Sequence, residues 1–532
     1  MASSPSLLAA IDSLSKGKLD KARSILLNIK ESGSDEASTA VRFLAHIDKK
    51  DKKYYEAIST LENAIKEFGE DPKILAQLAE FYMALGNYEN AIETAQRSLL
   101  AEPENSITSL NLTIWESTRN NDPIQIRKAF EQWSNKYLQE LKKTAPTLHR
   151  EGFDLTLDRR LRIGYLSGDF KNHPVRYLIE PYFELHDKSL FEIHAFMTEP
   201  GDQVTNFLKK YVHRWHNVQS MDDSKLHRLI REQKIDILID LSGHTEGSRL
   251  EVFAARAAPV QVTWWGFVQT LGMRDMDYRL TDAITCPPEA RPFYTESLCL
   301  MDCLTAYKPP LNCDAIYPPP WRDNGYVTMV SLNHTRKLSD SALLTWRQIL
   351  DQNPDSGLMI ITSETTEAGA GNLFEPRFRA LNMPQDRVTA IPRLTMLEYM
   401  GIGSVADFAL DSFPISGGVT TFHSIWMGLP VLTIRPKLPL AIQAYTSNIL
   451  HFAGLDDCVA ENQADLVQKA SNLIRNREQI DKLRDNSKKG LLKSPFMDHK
   501  QRVRELERCF RAMWHKYCLK LPTTSFESQS IP

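Results

Sequence analysis

Three alanines set the phase of the first hundred residues. Ala22 in GKLDKARSIL, Ala57 in KKYYEAISTL and Ala91 in GNYENAIETA stand 35 and 34 residues apart, each after a glycine or polar turn that a helical pattern precedes. A fixed period near 34 residues constrains a chain strongly, because it calls for stacked helix pairs, none of which buries its apolar face alone. A small alanine at that phase lets the two helices of a pair approach closely. Pro72 and Pro103 are expected to stop the second helices, since proline cannot continue a helix. The alternative these residues leave open is an unrelated helical bundle.

The phased segment resembles tetratricopeptide repeats, about three of them over residues 1–118. Such an array is expected to offer a concave face to peptides or other helices and to supply no chemistry of its own. Residues 119–158, with QIRKAFEQWSNKYLQELKK, read as a helical connector.

From Leu161 the texture changes. LRIGYLS, FEIHAFM, IDILIDLSG, VQVTWWG and DYRLTD are short β-rich runs with helical stretches between several of them. That alternation predicts βαβ units and a mainly parallel sheet over 159–310. A proline-rich stretch over 304–325 reads as a hinge, and a second alternation (YVTMVSLN, LMIITS, RVTAIP, DFALDSF, LPVLTIR) fills 325–475. Two doubly wound units in succession predict a ligand cleft at the carboxyl ends of their strands. Residues 476–518 read as helices and 519–532 as a disordered tail.

Composition excludes several classes. The 532 residues carry 64 Lys plus Arg against 67 Asp plus Glu, for a net charge of −3, which argues against a nucleic-acid partner. With 42% hydrophobic and 25% charged residues the chain can bury large cores and is not disordered. Neither a secretory signal nor a membrane-spanning apolar run is expected. Seven cysteines without a CxxC pair suggest free thiols in a reducing compartment, hence a cytoplasmic location. A zinc site from Cys299 and Cys303 is the less favoured reading, because no second ligand pair follows.

Five segments are candidates for chemistry. In LDSFPISGGVTTFHSIWMGLPVLT, Gly417 and Gly418 permit a tight turn, after which Val419, Thr420 and Thr421 open a helix whose N-terminus favours phosphate. An ordinary glycine turn with a Thr N-cap is the competing reading, and no GK[ST] makes it a Walker loop. In YVTMVSLNHTRKLSDSALLTWRQIL, the polar knot Asn333, His334, Thr335, Arg336 and Lys337 lies between a strand and a helix starting near Ser339. Its cations suit a diphosphate; a solvated loop with a cap at Ser339 fits equally. His173, fixed by Pro174 at the end of another strand, is a candidate acid or base. Asp240 and His244 in IDILIDLSGHTEG are expected on one rim of the sheet, and APVQVTWWGFVQTLG adds an aromatic strand end and another glycine loop.

In this order the segments resemble the catalytic region of O-linked N-acetylglucosamine transferases, over about residues 5 to 515 with the repeats included. The resemblance implies a helical repeat array followed by an α/β GT-B fold of two Rossmann-like units. It implies transfer of N-acetylglucosamine from UDP-GlcNAc to Ser or Thr hydroxyls of acceptor proteins, with inversion, and no cofactor beyond the UDP-sugar. By position, Lys337 matches the lysine on the donor diphosphate, His173 the histidine assigned as base, and residues 417–421 the phosphate-binding helix start. His334 stands where a glutamine binds the nucleotide, and Tyr399 falls near a ring that stacks on uracil. Three features depart from the pattern. His423 replaces an aspartate that contacts ribose, Val268 and Gln269 replace Pro and Gly in the loop GFVQTLG, and QAYTSN stands near an absent SRV-x-x-S segment. The DMD run Asp275 to Asp277 mimics a metal-binding DxD, but a structural role is favoured, since GT-B enzymes can use cations and helix ends in place of a metal.

Overall fold

The computed structural model describes residues 4–531 apart from 35, 52, 121, 363, 365 and 439. The chain divides into two compact units. One, the repeat-bearing unit, comprises Met1–Arg119, Pro318–Ile415 and Gln463–Arg477; the other, the large-sheet unit, comprises Asn120–Tyr317, Ser416–Asn462 and Glu478–Pro532.

The repeats are helices Pro5–Ser15, Leu19–Glu31, Ala37–Lys50, Tyr54–Phe68, Pro72–Ala84, Tyr88–Ala101 and Ser106–Ser117. Ala22, Ala57 and Ala91 are fully buried near the starts of Leu19–Glu31, Tyr54–Phe68 and Tyr88–Ala101, where a larger side chain would push the paired helix away. Pro72 acts differently from expectation. Helix Tyr54–Phe68 already ends at Gly69, whose φ of 82° no β-branched residue tolerates, and Pro72 opens the next helix behind the Asp71 cap. Proline lacks only an N–H that a first helical turn leaves unpaired in any case.

In the large-sheet unit, strands Leu161–Ser167 (β1), Phe191–Met197 (β2), Arg214–Asn217 (β3), Ile237–Asp240 (β4), Val260–Thr263 (β5), Tyr278–Asp282 (β6) and Ser297–Met301 (β7) form a parallel sheet in the order β7-β6-β5-β4-β1-β2-β3. β4 and β5 are buried throughout, as expected of strands covered on both faces. β1 and β4 pair with Leu166 opposite Asp240, so the loops after these two strands leave the same edge of the sheet. Helix Pro123–Tyr137 belongs to this unit, and its Phe130 lies against Gly272 so closely that a Cβ there would come within 2.2 Å of the Phe130 backbone.

The repeat-bearing unit holds a second parallel arrangement: Val327–Ser331 (β8), Ser356–Ile361 (β9), Val388–Ile391 (β10) and Phe408–Leu410 (β11), in the order β10-β9-β8-β11. Back in the large-sheet unit, Val431–Ile434 (β12) pairs with Val459–Ala460 (β13). The tail read as disordered is ordered over much of its length. Phe526–Glu527 (β14) pairs with Cys299–Leu300 of β7, and Ser525 Oγ accepts from Leu298 N at 2.8 Å. A short strand extending an existing edge gives little signal in sequence. Pro532 lies outside the described residues.

Candidate functional site

In the repeat-bearing unit the polar knot follows β8 as one tight turn, Thr335–Lys337, before helix Asp340–Gln352. Asn333 donates from Nδ2 to Asp411 Oδ1 at 2.9 Å, both residues being buried. Asp411 directly follows β11, so two adjacent strand ends meet here. Ser339 caps the helix by accepting from Ala342 N at 3.1 Å, as read from the sequence. Lys337 is half-buried. Burial pushes its ammonium down to about 8; Asp411 opposes that shift and Arg336 adds to it. His334 is exposed on one side yet crowded by surrounding chain. That shielding, with the charges of Arg336, Lys337 and Arg393, pushes its imidazole down to about 4. At pH 7 it is neutral and able to accept or donate. Tyr399 sits half-buried on helix Met396–Met400, which a Thr395–Glu398 capping box fixes.

The 417–421 segment lies in the large-sheet unit. Gly418 is the N-cap of helix Val419–Trp426, and no side chain caps it. The reading as a Thr-capped turn therefore does not hold. Thr421 Oγ1 instead meets Thr446 Oγ1 at 2.9 Å, which ties this helix start to helix Ala441–Phe452. A helix N-terminus without a side-chain cap, with Val419 and Thr420 half-buried, keeps its partial positive charge for an incoming anion. His423, one turn on, is buried. Tyr307 Oη lies 2.7 Å from its Nδ1, and the Tyr177 ring meets it edge-on at 4.7 Å. Burial pushes its imidazole down to about 3.

In the loop after β1, His173 remains 41% exposed, with Nδ1 at 3.5 Å from Asp169 Oδ2. Burial raises the Asp169 carboxyl to about 6; Lys171 opposes this, while Glu246 and Glu199 add to it. The motifs did not single out Asp169, although it precedes His173 by four residues.

Asp240 and His244 come out differently from a cleft assignment. Asp240 is fully buried and accepts from Ser242 N, Gly243 N and Thr263 Oγ1 at 2.9–3.0 Å. It shapes its own loop. Burial nevertheless raises its carboxyl, because those bonds only partly offset desolvation. His244 is packed between Phe130 and Phe267 at ring distances of 5.4 and 5.2 Å, with Nε2 at 2.9 Å from the Leu271 carbonyl. Burial pushes it down to about 4.

The loop 266–272 is lashed from beneath by two residues not singled out in the sequence, Arg279 inside the DYRLTD run and Glu296. Arg279 donates to the carbonyls of Phe267 and Gln269, and Glu296 accepts from Leu271 N at 2.7 Å and Thr270 Oγ1 at 2.8 Å. Val268 is left to line a small cavity of about 10 Å³, the size of a single water, with Trp264, Trp265, Ala441 and Tyr445. Two departures from the family pattern, Val268 and the Tyr445 of QAYTSN, thus share one wall. The Trp265 indole N–H in that wall has no hydrogen-bond partner among the described residues.

The remaining metal candidates are engaged otherwise. Arg256 grips Asp277 with two bonds of 2.7 Å and Lys142 holds Asp275 at 2.8 Å. Cys303 Sγ lies 3.5 Å from the Thr305 carbonyl, while Cys299 interacts with Cys509. All seven cysteines are free thiols, and among the described residues no helix is long and apolar enough to cross a membrane.

Known proteins agree with this architecture. A tetratricopeptide repeat profile matches residues 50–109. The Solanum lycopersicum protein named probable UDP-N-acetylglucosamine–peptide N-acetylglucosaminyltransferase SPINDLY is 32% identical over 370 residues, 68% of this chain and 39% of that protein. The Arabidopsis thaliana protein SEC, with the same probable activity in its name, is 28% identical over 373 residues, 68% of this chain and 38% of its own length. The chain therefore spans about two fifths of the length of these curated relatives. A solved mutant of Thermobaculum terrenum O-GlcNAc transferase superposes with a TM-score of 0.85 at 27% identity, covering 97% of this chain and 98% of that one, so the fold is shared from end to end. The profile of glycosyl transferase family 41 matches residues 130–305 and 322–506, well over half the sequence, and the chain belongs to that family.

Proposed function

We propose that this chain is a protein O-GlcNAc transferase with a GT-B fold, moving N-acetylglucosamine from UDP-GlcNAc to Ser or Thr hydroxyls. The observation that carries this reading is Lys337, a half-buried ammonium already pushed down to about 8 in a strand-end turn. A diphosphate beside it restores the proton's stability and is itself neutralised as it leaves. The acceptor oxygen attacks the anomeric carbon, the bond from that carbon to the UDP oxygen breaks, and UDP departs with the electron pair, inverting the centre. The acceptor proton passes to His173, which Asp169 orients. The half-open helix start at 418–421 is, within the large-sheet unit, a candidate anion contact of its own. His334 and Tyr399 serve the nucleotide. Acceptor chains lie along the concave face of the repeats, and the free thiols suit the cytoplasm.

Lys337→Ala is expected to lower kcat by roughly a hundredfold to a thousandfold, the scale of losing one positioned electrostatic contact. The assay is UDP release from UDP-GlcNAc with and without peptide; near-wild-type turnover refutes the assignment. Transfer is expected to survive EDTA, because Asp275 and Asp277 are already neutralised by Lys142 and Arg256. A second reading, another UDP-hexose as donor, draws on Val268 and Tyr445, two departures from the family pattern that line the same small cavity. A panel of UDP-sugars separates the two.

A further inference from the structure

The turn between helices Pro72–Ala84 and Tyr88–Ala101 presses against the segment that carries Lys337. Gly86, at φ 74°, lies so close that a Cβ would stand 2.5 Å from the Leu338 carbonyl oxygen. Tyr88, almost wholly buried, donates from its hydroxyl to the Arg336 carbonyl at 3.0 Å. Arg377, also buried, gives Nη1 to the Leu85 carbonyl at 2.6 Å and Nη2 to the Leu338 carbonyl at 2.6 Å. Its Nε reaches Asp340 Oδ1 at 2.7 Å. The carbonyls on both sides of Lys337 are therefore held by groups outside its own turn. A lysine has four rotatable side-chain bonds and little preference of its own, so where its ammonium can go depends on where its Cα is fixed. Occupied carbonyls also present less negative charge to an anion beside them.

We propose that the repeat turn at Leu85–Tyr88, bridged by Arg377, positions the Lys337 segment for the donor diphosphate, so that the repeat array contributes to donor binding as well as to acceptor capture. Tyr88 and Arg377 are positioning residues; neither touches substrate. The proposal rests on the donor reading of Lys337. It also changes what losing the repeats does: a truncation that removes residues 1–118 strips the Lys337 turn of its outer support and lowers donor affinity, rather than affecting protein acceptors alone.

The test uses the full chain, with UDP binding followed by calorimetry and donor and acceptor KM measured separately from kcat. Tyr88→Phe removes one hydroxyl and is expected to weaken UDP binding and raise donor KM about fivefold, the worth of one hydrogen bond. Arg377→Met, losing several, is expected to exceed that. Acceptor KM of Tyr88→Phe stays at the wild-type value while the melting temperature falls by a few degrees for the lost buried bond; a merely structural role lowers the melting temperature and leaves donor KM and UDP binding unchanged. If Arg377→Met fails to fold, Tyr88→Phe decides. A folded Tyr88→Phe protein that binds UDP as tightly as wild type, while Lys337→Ala loses binding, overturns the clamp and leaves the donor site standing. Unchanged UDP binding in Lys337→Ala overturns both.

Discussion

The loops after β1 and β4 begin alike and end differently. Each leaves the same edge of one parallel sheet, and each carries a histidine four residues after an aspartate, Asp169 in the first loop and Asp240 at the end of β4. His173 keeps 41% of its side chain open, while Phe130 and Trp133 of helix Pro123–Tyr137 close over His244. The electrostatics follow the packing. Burial raises the Asp169 carboxyl to about 6 beside the open His173, whereas His244 is pushed down to about 4 and stays neutral near pH 7. A strand-end position nominates a residue for chemistry, and what packs over the loop decides whether it is available.

The largest test of that contrast is His173→Ala. Turnover is expected to fall by about a hundredfold to ten-thousandfold, the range for a general base, with the melting temperature unchanged. His244→Ala should do the reverse. Removing a ring from a filled aromatic site costs about 2–4 kcal/mol, read by urea denaturation, while kcat of the folded protein stays close to wild type. A large catalytic loss in a stable His244→Ala protein breaks the comparison.

A finer test uses pH. The Asp169 carboxyl is raised from about 3.9 in the unfolded chain to about 6, so the stability it contributes is complete below the lower value and lost as pH rises through 6. The His244 imidazole is depressed from about 6.5 to about 4, so its contribution is complete above 6.5 and lost as pH falls through 4. Each amounts to roughly 3 kcal/mol. Acidification from 6.5 to 4 thus favours one loop and penalises the other. Asp169→Asn should stabilise the protein at pH 7.5, and His244→Phe should reduce its acid sensitivity, both followed by denaturation against pH. Slopes of the same sign in the two variants contradict the assignment.

Much of the fold was legible because it is written in short range. The alanine phase at 22, 57 and 91 reports contacts between helices a few residues apart, and the buried runs of β1, β4 and β8 follow from being covered on both faces. The knot at 333–337 and the glycine start at 417–418 were legible for the same reason, since each is one turn long. Asp169 lay within reach of the same reasoning, four residues from His173. Arg279, Glu296 and Arg377 did not: an arginine inside an ordinary helical or β pattern looks solvated until the carbonyls it serves are in place.

The sequence by itself determined the repeat period, the alternation of strands and helices, and which loops carry polar residues at strand ends, because these depend on periodicity and backbone chemistry local to each segment. Only the tertiary structure decided that His244 is walled in by a helix more than a hundred residues earlier, that Phe526–Glu527 joins β7, and that Tyr88 and Arg377 hold the turn bearing Lys337. These depend on which distant surfaces exclude water from which side chains. Desolvation, the first cause of the shifts at Lys337, Asp169 and His244, exists only once those surfaces have met.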